Sequence, residues 1–166
     1  YQAYCDMTTE GGGWTLTLML PDTAGATYNY PAEGWTDVSL SNAEVTDPTR
    51  NLLVRSQGFW RVPVLAEMRL CLGSYTNCIS EPRSAPSTQS MFLSDETPSM
   101  RAAADFSIWG YSATTGCSRA GFNVLAPGGT ARCRYGIVFD PLGACGGADD
   151  QSIGLGCTGY RGAQVS

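Results

Sequence analysis

Seven cysteines, at positions 5, 71, 78, 117, 133, 145 and 157, restrict this 166-residue chain more than any other feature. No two of them form a CxxC pair. The chain also has no histidine, so a structural zinc site has no ligand set to draw on. Disulfides formed in an oxidising compartment are the reading that fits, and they make the chain a secreted, extracellular one. Proximity along the chain favours the pairs Cys71–Cys78, Cys117–Cys133 and Cys145–Cys157, each closing a loop that holds turn residues. A bridge of this loop size stabilises by about 2–4 kcal/mol. Cys5 is then left over. Other pairings of the same six cysteines stay open.

The length suits one domain. Twenty glycines and nine prolines, with 15% charged residues, point to a loop-rich fold with few long helices. Four Trp, eight Tyr and five Phe supply enough buriable surface to exclude disorder. All ten basic residues are arginine and the net charge is -5. No basic patch is visible, which excludes a nucleic-acid binder. No apolar run reaches the roughly 20 residues of a membrane span.

The stretch 4–20, "YCDMTTEGGGWTLTLML", reads as a hairpin that turns at Glu10-Gly11-Gly12-Gly13, since glycine reaches positive φ without strain. In the strand that follows, Trp14, Leu16, Leu18 and Leu20 alternate with Thr15, Thr17 and Met19. Residues 41–54 suit a short helix or turn. Residues 67–72 alternate with Met68, Leu70 and Leu72 on one face, a strand pattern. The polar, proline-containing stretch 80–90 reads as a surface loop. Thr97 and Pro98 suit the N-cap and first position of a short helix. "FSIWGY" reads as a strand, "APGGT" as a turn, and "RCRYGIVFD" as the best strand of the second half. The glycine-dense tail beyond it is expected to be irregular. No internal repeat is visible.

The opening motif resembles that of fibrinogen-related domains, in which V/F-x-C-D-M is followed by GGGWT. The match falls on Cys5, Asp6, Met7, Gly11, Gly12, Gly13, Trp14 and Thr15. The tail "CGGADDQSIGLGC" is similar to the intelectin (X-type lectin) branch and to bacterial secreted relatives. The middle departs from vertebrate fibrinogen, with no GEFWLG element and no D-N-D-N-D calcium loop. The resemblance implies one α+β, fibrinogen-like domain over 1–166, mostly antiparallel strands with short helices, long loops and disulfides. It implies a cysteine partner for Cys5 in a segment upstream and a further strand after the tail. It also implies that Gly11–Gly13 turn the chain against the Trp14 indole, with Trp14 as a core anchor.

Catalytic groups are scarce. Without His or Lys there is no Ser-His, Cys-His, Ser-Lys or Schiff-base chemistry. No P-loop or strand-linked GxGxxG occurs. Adjacent Asp149 and Asp150 cannot face each other across a glycosidic bond as a hydrolase pair must. The chain is therefore expected not to be an enzyme. Metal binding suits it better: Asp149, Asp150 and Ser152 are hard oxygen donors in a glycine-rich loop, and Asp140 lies nine residues before Asp149. The plainer alternative is a solvated acidic turn. The intelectin resemblance implies a calcium ion (Ca2+) gripping vicinal hydroxyls of a sugar near Asp149 or Asp150. Intelectins place His and Asn in this loop; this chain has no His and lacks that Asn, so its ligand set must differ. Gln151 is a further ligand contact, and Tyr160 and Trp109 are candidate walls for the sugar, or else core or surface aromatics.

Two functions follow as expectations. One is a secreted, calcium-dependent carbohydrate-recognition domain whose partners are glycans or other surface ligands. The other is a structural module that self-assembles into a homo-oligomer, fibre or surface layer, which the Tyr-rich loops "TYNY" and "SYTN" and the absence of Lys allow.

Overall fold

The computed structural model describes residues 4–20, 28–31, 33–45, 52–73, 77–111, 117–140, 151–158 and 163–164. Its centre is a five-stranded sheet built from the second half of the chain: β7 (Thr97–Pro98), β8 (Arg119–Leu125), β9 (Arg132–Phe139), β10 (Gln151–Leu155) and β11 (Ala163–Gln164). Their order is β11-β10-β9-β8-β7, antiparallel throughout except for the β10–β11 pair. β8 and β9 form a hairpin over the expected "APGGT" turn, where Gly128 takes φ 74° and Ala126 N–H donates to Ala131 O. β9 lies in the middle and is covered on both faces. Tyr135, Gly136, Ile137 and Val138 are all buried, which is why "YGIV" runs continuously apolar instead of alternating.

The first half adds three short pairs. β1 (Cys5–Asp6) pairs with β2 (Trp14–Thr15), β3 (Leu18–Met19) with β4 (Val54–Arg55), and β5 (Glu67–Cys71) with β6 (Cys78–Pro82). The expected alternation in 67–72 is present: Met68, Leu70 and Leu72 are buried. Two short α-helices, α1 (Gly58–Arg61) and α2 (Thr88–Leu93), join them. The described fold is thus α+β, with mostly antiparallel strands, short helices and disulfides.

An aromatic core lies between these elements and the sheet. Trp35 packs 4.8 Å from Phe92, and Phe122 packs 4.6 Å from Tyr135. Phe59, Phe106 and Ile137 complete its fully buried centre. Rings of this size dominate core energetics. Glu81 of β6 is buried among them and is held by donors alone: Ser99 Oγ at 2.8 Å, Met100 N at 2.6 Å and Tyr135 Oη at 3.2 Å. Arg83 lies 3.7 Å away. Burial, and after it the Glu81 charge, pushes the Tyr135 phenol up.

Several expectations are corrected. Cys71–Cys78 forms as expected, but Cys133 bridges Cys157, replacing the expected Cys117–Cys133 and Cys145–Cys157 pairs. The reason is register. β9 and β10 pair Tyr135 with Leu155, and two more residues along the same antiparallel alignment bring Cys133 opposite Cys157. Cys117 is disulfide-bonded as well, and Cys145 lies outside the described residues.

Residues 80–90 are not a loop. They hold the end of β6 and the start of α2, whose N-cap Ser87 accepts from Ser90 N–H while Ser90 Oγ accepts from Ser87 N–H. Thr97 and Pro98 form β7 instead of opening a helix. The first four residues of the expected strand "FSIWGY" belong to a 3-10 helix over Ala103–Trp109, with Gly110 as its C-cap. Three residues per turn place Phe106 and Trp109 on one face, and both are buried. Of the short helix or turn expected over 41–54, the described residues hold the turn, followed by the start of β4. The tail, expected to be irregular, contains β10.

The N-terminal motif also differs from expectation. The three glycines do take positive φ, at 93°, 80° and 86°. A Cβ on Gly12 would collide with the Met7 backbone, not with the indole, and Gly11 and Gly13 face open space. Trp14 is only half-buried. Its Nε1 donates to Thr9 O at 3.0 Å, and Arg69 stacks over its ring at 5.9 Å. Trp14 therefore sits at the edge of the molecule, outside the aromatic core.

Candidate functional site

Of the expected metal and ligand residues, Asp140, Gln151 and Ser152 lie at one end of the β9–β10 pair. Phe139 pairs with Gln151 and Val138 with Ser152, so Asp140, directly after Phe139, lies beside the start of β10. Asp140 is 2% exposed and Ser152 is fully buried. Gln151 is half-buried. Ser152 Oγ donates to Thr158 O at 3.4 Å, which leaves the lone pairs of that oxygen able to accept. Asp149, Asp150 and Tyr160 lie outside the described residues.

Trp109 is elsewhere. It is 8% exposed, stacks edge-on against Phe106 and Tyr135, and donates its indole N–H to Asn77 O at 2.8 Å. It is a core residue, and the wall role expected of it is withdrawn.

The same end of the sheet carries groups that sequence reading missed. Arg119 of β8 pairs with Val138, so Ser118 lies beside Phe139. Ser118 Oγ and Tyr111 Oη are 2.6 Å apart, and the Tyr111 ring packs 5.0 Å from Phe139. Arg119 forms a surface ion pair with Glu96 at 3.1 Å. The β8–β9 register brings Ser118 and Arg119 to this end of the sheet, and the Tyr111 ring reaches it against Phe139. Nothing in the local sequence marks them.

Comparison with known proteins gives no relative: no protein family, no curated protein and no solved structure matches this chain.

In donor chemistry the site suits calcium. A carboxylate, an amide carbonyl and a hydroxyl are hard oxygen ligands, and none of Asp140, Gln151 and Ser152 offers a soft sulfur or imidazole. They are not a full set, since calcium takes 6–8 oxygens. Among the described residues no group of three His, Cys, Asp or Glu side chains stands close enough to hold a metal.

Proposed function

We propose that the chain is a fibrinogen-like, calcium-dependent carbohydrate-recognition domain of an extracellular protein. One observation carries this function: a buried carboxylate, Asp140, closes β9 directly beside the strand start that bears Gln151 and Ser152. Asp149 and Asp150 precede Gln151 in the chain and would complete the oxygen set. A calcium ion there would supply open coordination positions for two adjacent sugar hydroxyls. The protein's part is to hold Asp140 beside Ser152 at the end of two hydrogen-bonded strands, while Gln151, next to Ser152 in β10, projects to the other face. The disulfides suit an oxidising, extracellular setting. The missing His and Lys favour binding over catalysis.

Calorimetric titration with calcium, followed by a panel of neutral glycans with and without chelator, tests this. Glycan binding should appear only with calcium. Asp149→Ala combined with Asp150→Ala should abolish calcium uptake in a folded protein, and Asp140→Asn should weaken it at least tenfold. Undiminished calcium affinity in the double variant would move the site elsewhere. Chelator-insensitive silence toward every glycan, with concentration-dependent assembly, would favour the self-assembling module instead.

A further inference from the structure

The opposite end of β9 carries a different chemistry. Arg132 and Arg134 lie two residues apart on one face of the strand, and both guanidinium groups stack on Tyr30, at 5.6 and 4.4 Å from the ring centre. Arg134 is rigidly held. Its Nε donates to Tyr30 O at 2.8 Å, and its Nη1 donates to Phe92 O at 2.8 Å and Asn123 Oδ1 at 3.1 Å. Its stem lies along Gly156, where an added Cβ would come 2.8 Å from Arg134 Cγ and 2.5 Å from the Trp35 ring. Burial lowers the Arg134 pKa from the ordinary arginine value. Arg132, by contrast, is exposed.

Among the described residues, neither arginine meets a carboxylate. The ion pairs among the described residues are Arg55–Asp37, Arg83–Glu81 and Arg119–Glu96. Two guanidinium groups thus share one aromatic ring with no counter-ion among the described residues, in a protein of net charge -5. Like charges so placed repel, and the half-buried one has lost part of its hydration. An oxyanion on the Arg132 side would relieve both effects through charge-assisted, forked hydrogen bonds. The surroundings add apolar surface: Leu125, 39% exposed, pairs with Arg132 across β8 and β9, and the half-buried Tyr30 ring stands on the other side. Among the described residues no basic stripe continues from the pair, which disfavours a polyphosphate backbone.

We propose that Arg132, Arg134, Tyr30 and Leu125 form a calcium-independent subsite for one acidic saccharide unit, whose carboxylate or sulfate is held by Arg132 and whose ring packs on Leu125 and Tyr30. Arg134 is a positioning residue that fixes Tyr30 and contributes charge. Arg132 opens β9 and Asp140 directly follows it, and the two sites are told apart by their chemistry, an oxyanion against a cation. The choice of a saccharide as carrier rests on the function proposed above; the oxyanion preference does not.

The test is titration of the whole chain, in the presence of chelator, with three probes: an oligogalacturonate, a sulfated galactan oligomer and a neutral galactan oligomer. At least one anionic probe should bind tenfold or more tightly than the neutral one, and which of them does so distinguishes carboxylate from sulfate. Arg132→Ala, a change at an exposed side chain, should weaken that binding at least tenfold and leave calcium affinity unchanged. Equal binding of the neutral probe, no binding of either anion, or full affinity in Arg132→Ala would each overturn the proposal. Because chelator is present throughout, a failed calcium site leaves this result untouched, and the reverse holds for the titrations of calcium.

Discussion

The hairpin joining β1 to β2 and the sheet formed by β8, β9 and β10 each depend on three glycines, for different reasons. In the hairpin, Gly11, Gly12 and Gly13 are consecutive and supply a change of backbone hand at the edge of the molecule. In the sheet, Gly121, Gly136 and Gly154 are far apart in sequence but stand in one row across three strands. A Cβ on Gly136 would strike the Ile153 carbonyl, one on Gly154 the Tyr135 carbonyl, and one on Gly121 the Thr97 carbonyl. All three hairpin glycines are required by φ and Gly12 also by the Met7 backbone, whereas all three sheet glycines are required by close approach of neighbouring backbone, with Gly121 and Gly154 at positive φ as well. The motif most conspicuous in the sequence is therefore not the one on which the core depends.

Three measurements test that contrast. The largest effect is expected from Gly154→Ala, which drives a methyl group into buried backbone of the central strand. Urea denaturation should show a loss of more than about 4 kcal/mol, or no folded protein at all. A loss under about 1 kcal/mol would mean that the sheet is looser than described. Trp14→Ala comes next. A half-buried indole stacked on Arg69 should cost about 1–2 kcal/mol. A loss of about 3–5 kcal/mol, as for a core aromatic, would restore Trp14 as an anchor.

The smallest effect concerns Asp6, where hydrogen bonds from the Thr9 side chain, the Thr9 amide and the Thr8 amide hold the carboxyl well below the usual carboxylate range. Because the folded value is depressed, its contribution is present above the ordinary Asp pKa of about 3.9 and is lost as pH falls from there through the folded value. Carboxyl-carbon NMR should show Asp6 still ionised near pH 3, with Thr8 and Thr9 amides exchanging faster only below that. Titration of Asp6 in the ordinary range would show that the turn is not held by this group.

The candidate sites differ in how far they can be read in advance. The acidic end of β9 was legible: Asp140, Gln151 and Ser152 are near in sequence to the Asp149–Asp150 pair, and hard donors in a glycine-rich loop are a recognisable pattern. Tyr111 and Ser118 were not, because Ser118 reaches that end through the pairing of β8 with β9 and the Tyr111 ring through its packing against Phe139. The arginine–tyrosine cluster was also hidden. Tyr30 lies about a hundred residues before Arg132 and Arg134, and an R-x-R pair in a strand carries no signal until a ring is found against it. Trp109 shows the converse. An aromatic offered as a wall for the ligand proved to be core, because 3-10 spacing turned it inward beside Phe106.

By itself, the sequence determined the local elements whose physics is local: the 67–72 alternation, the Pro-Gly turn between β8 and β9, the continuous apolar run of β9, the Cys71–Cys78 bridge across a short loop, and the positive φ of Gly11–Gly13. Tertiary structure decided what depends on register between distant strands: the Cys133–Cys157 bridge, the glycine row, the burial of Glu81 and Trp109, and the two chemically opposite ends of β9. The division follows from range. Dihedral preference and side-chain periodicity act within a few residues, whereas strand alignment is fixed by packing of the whole core, which no short stretch contains.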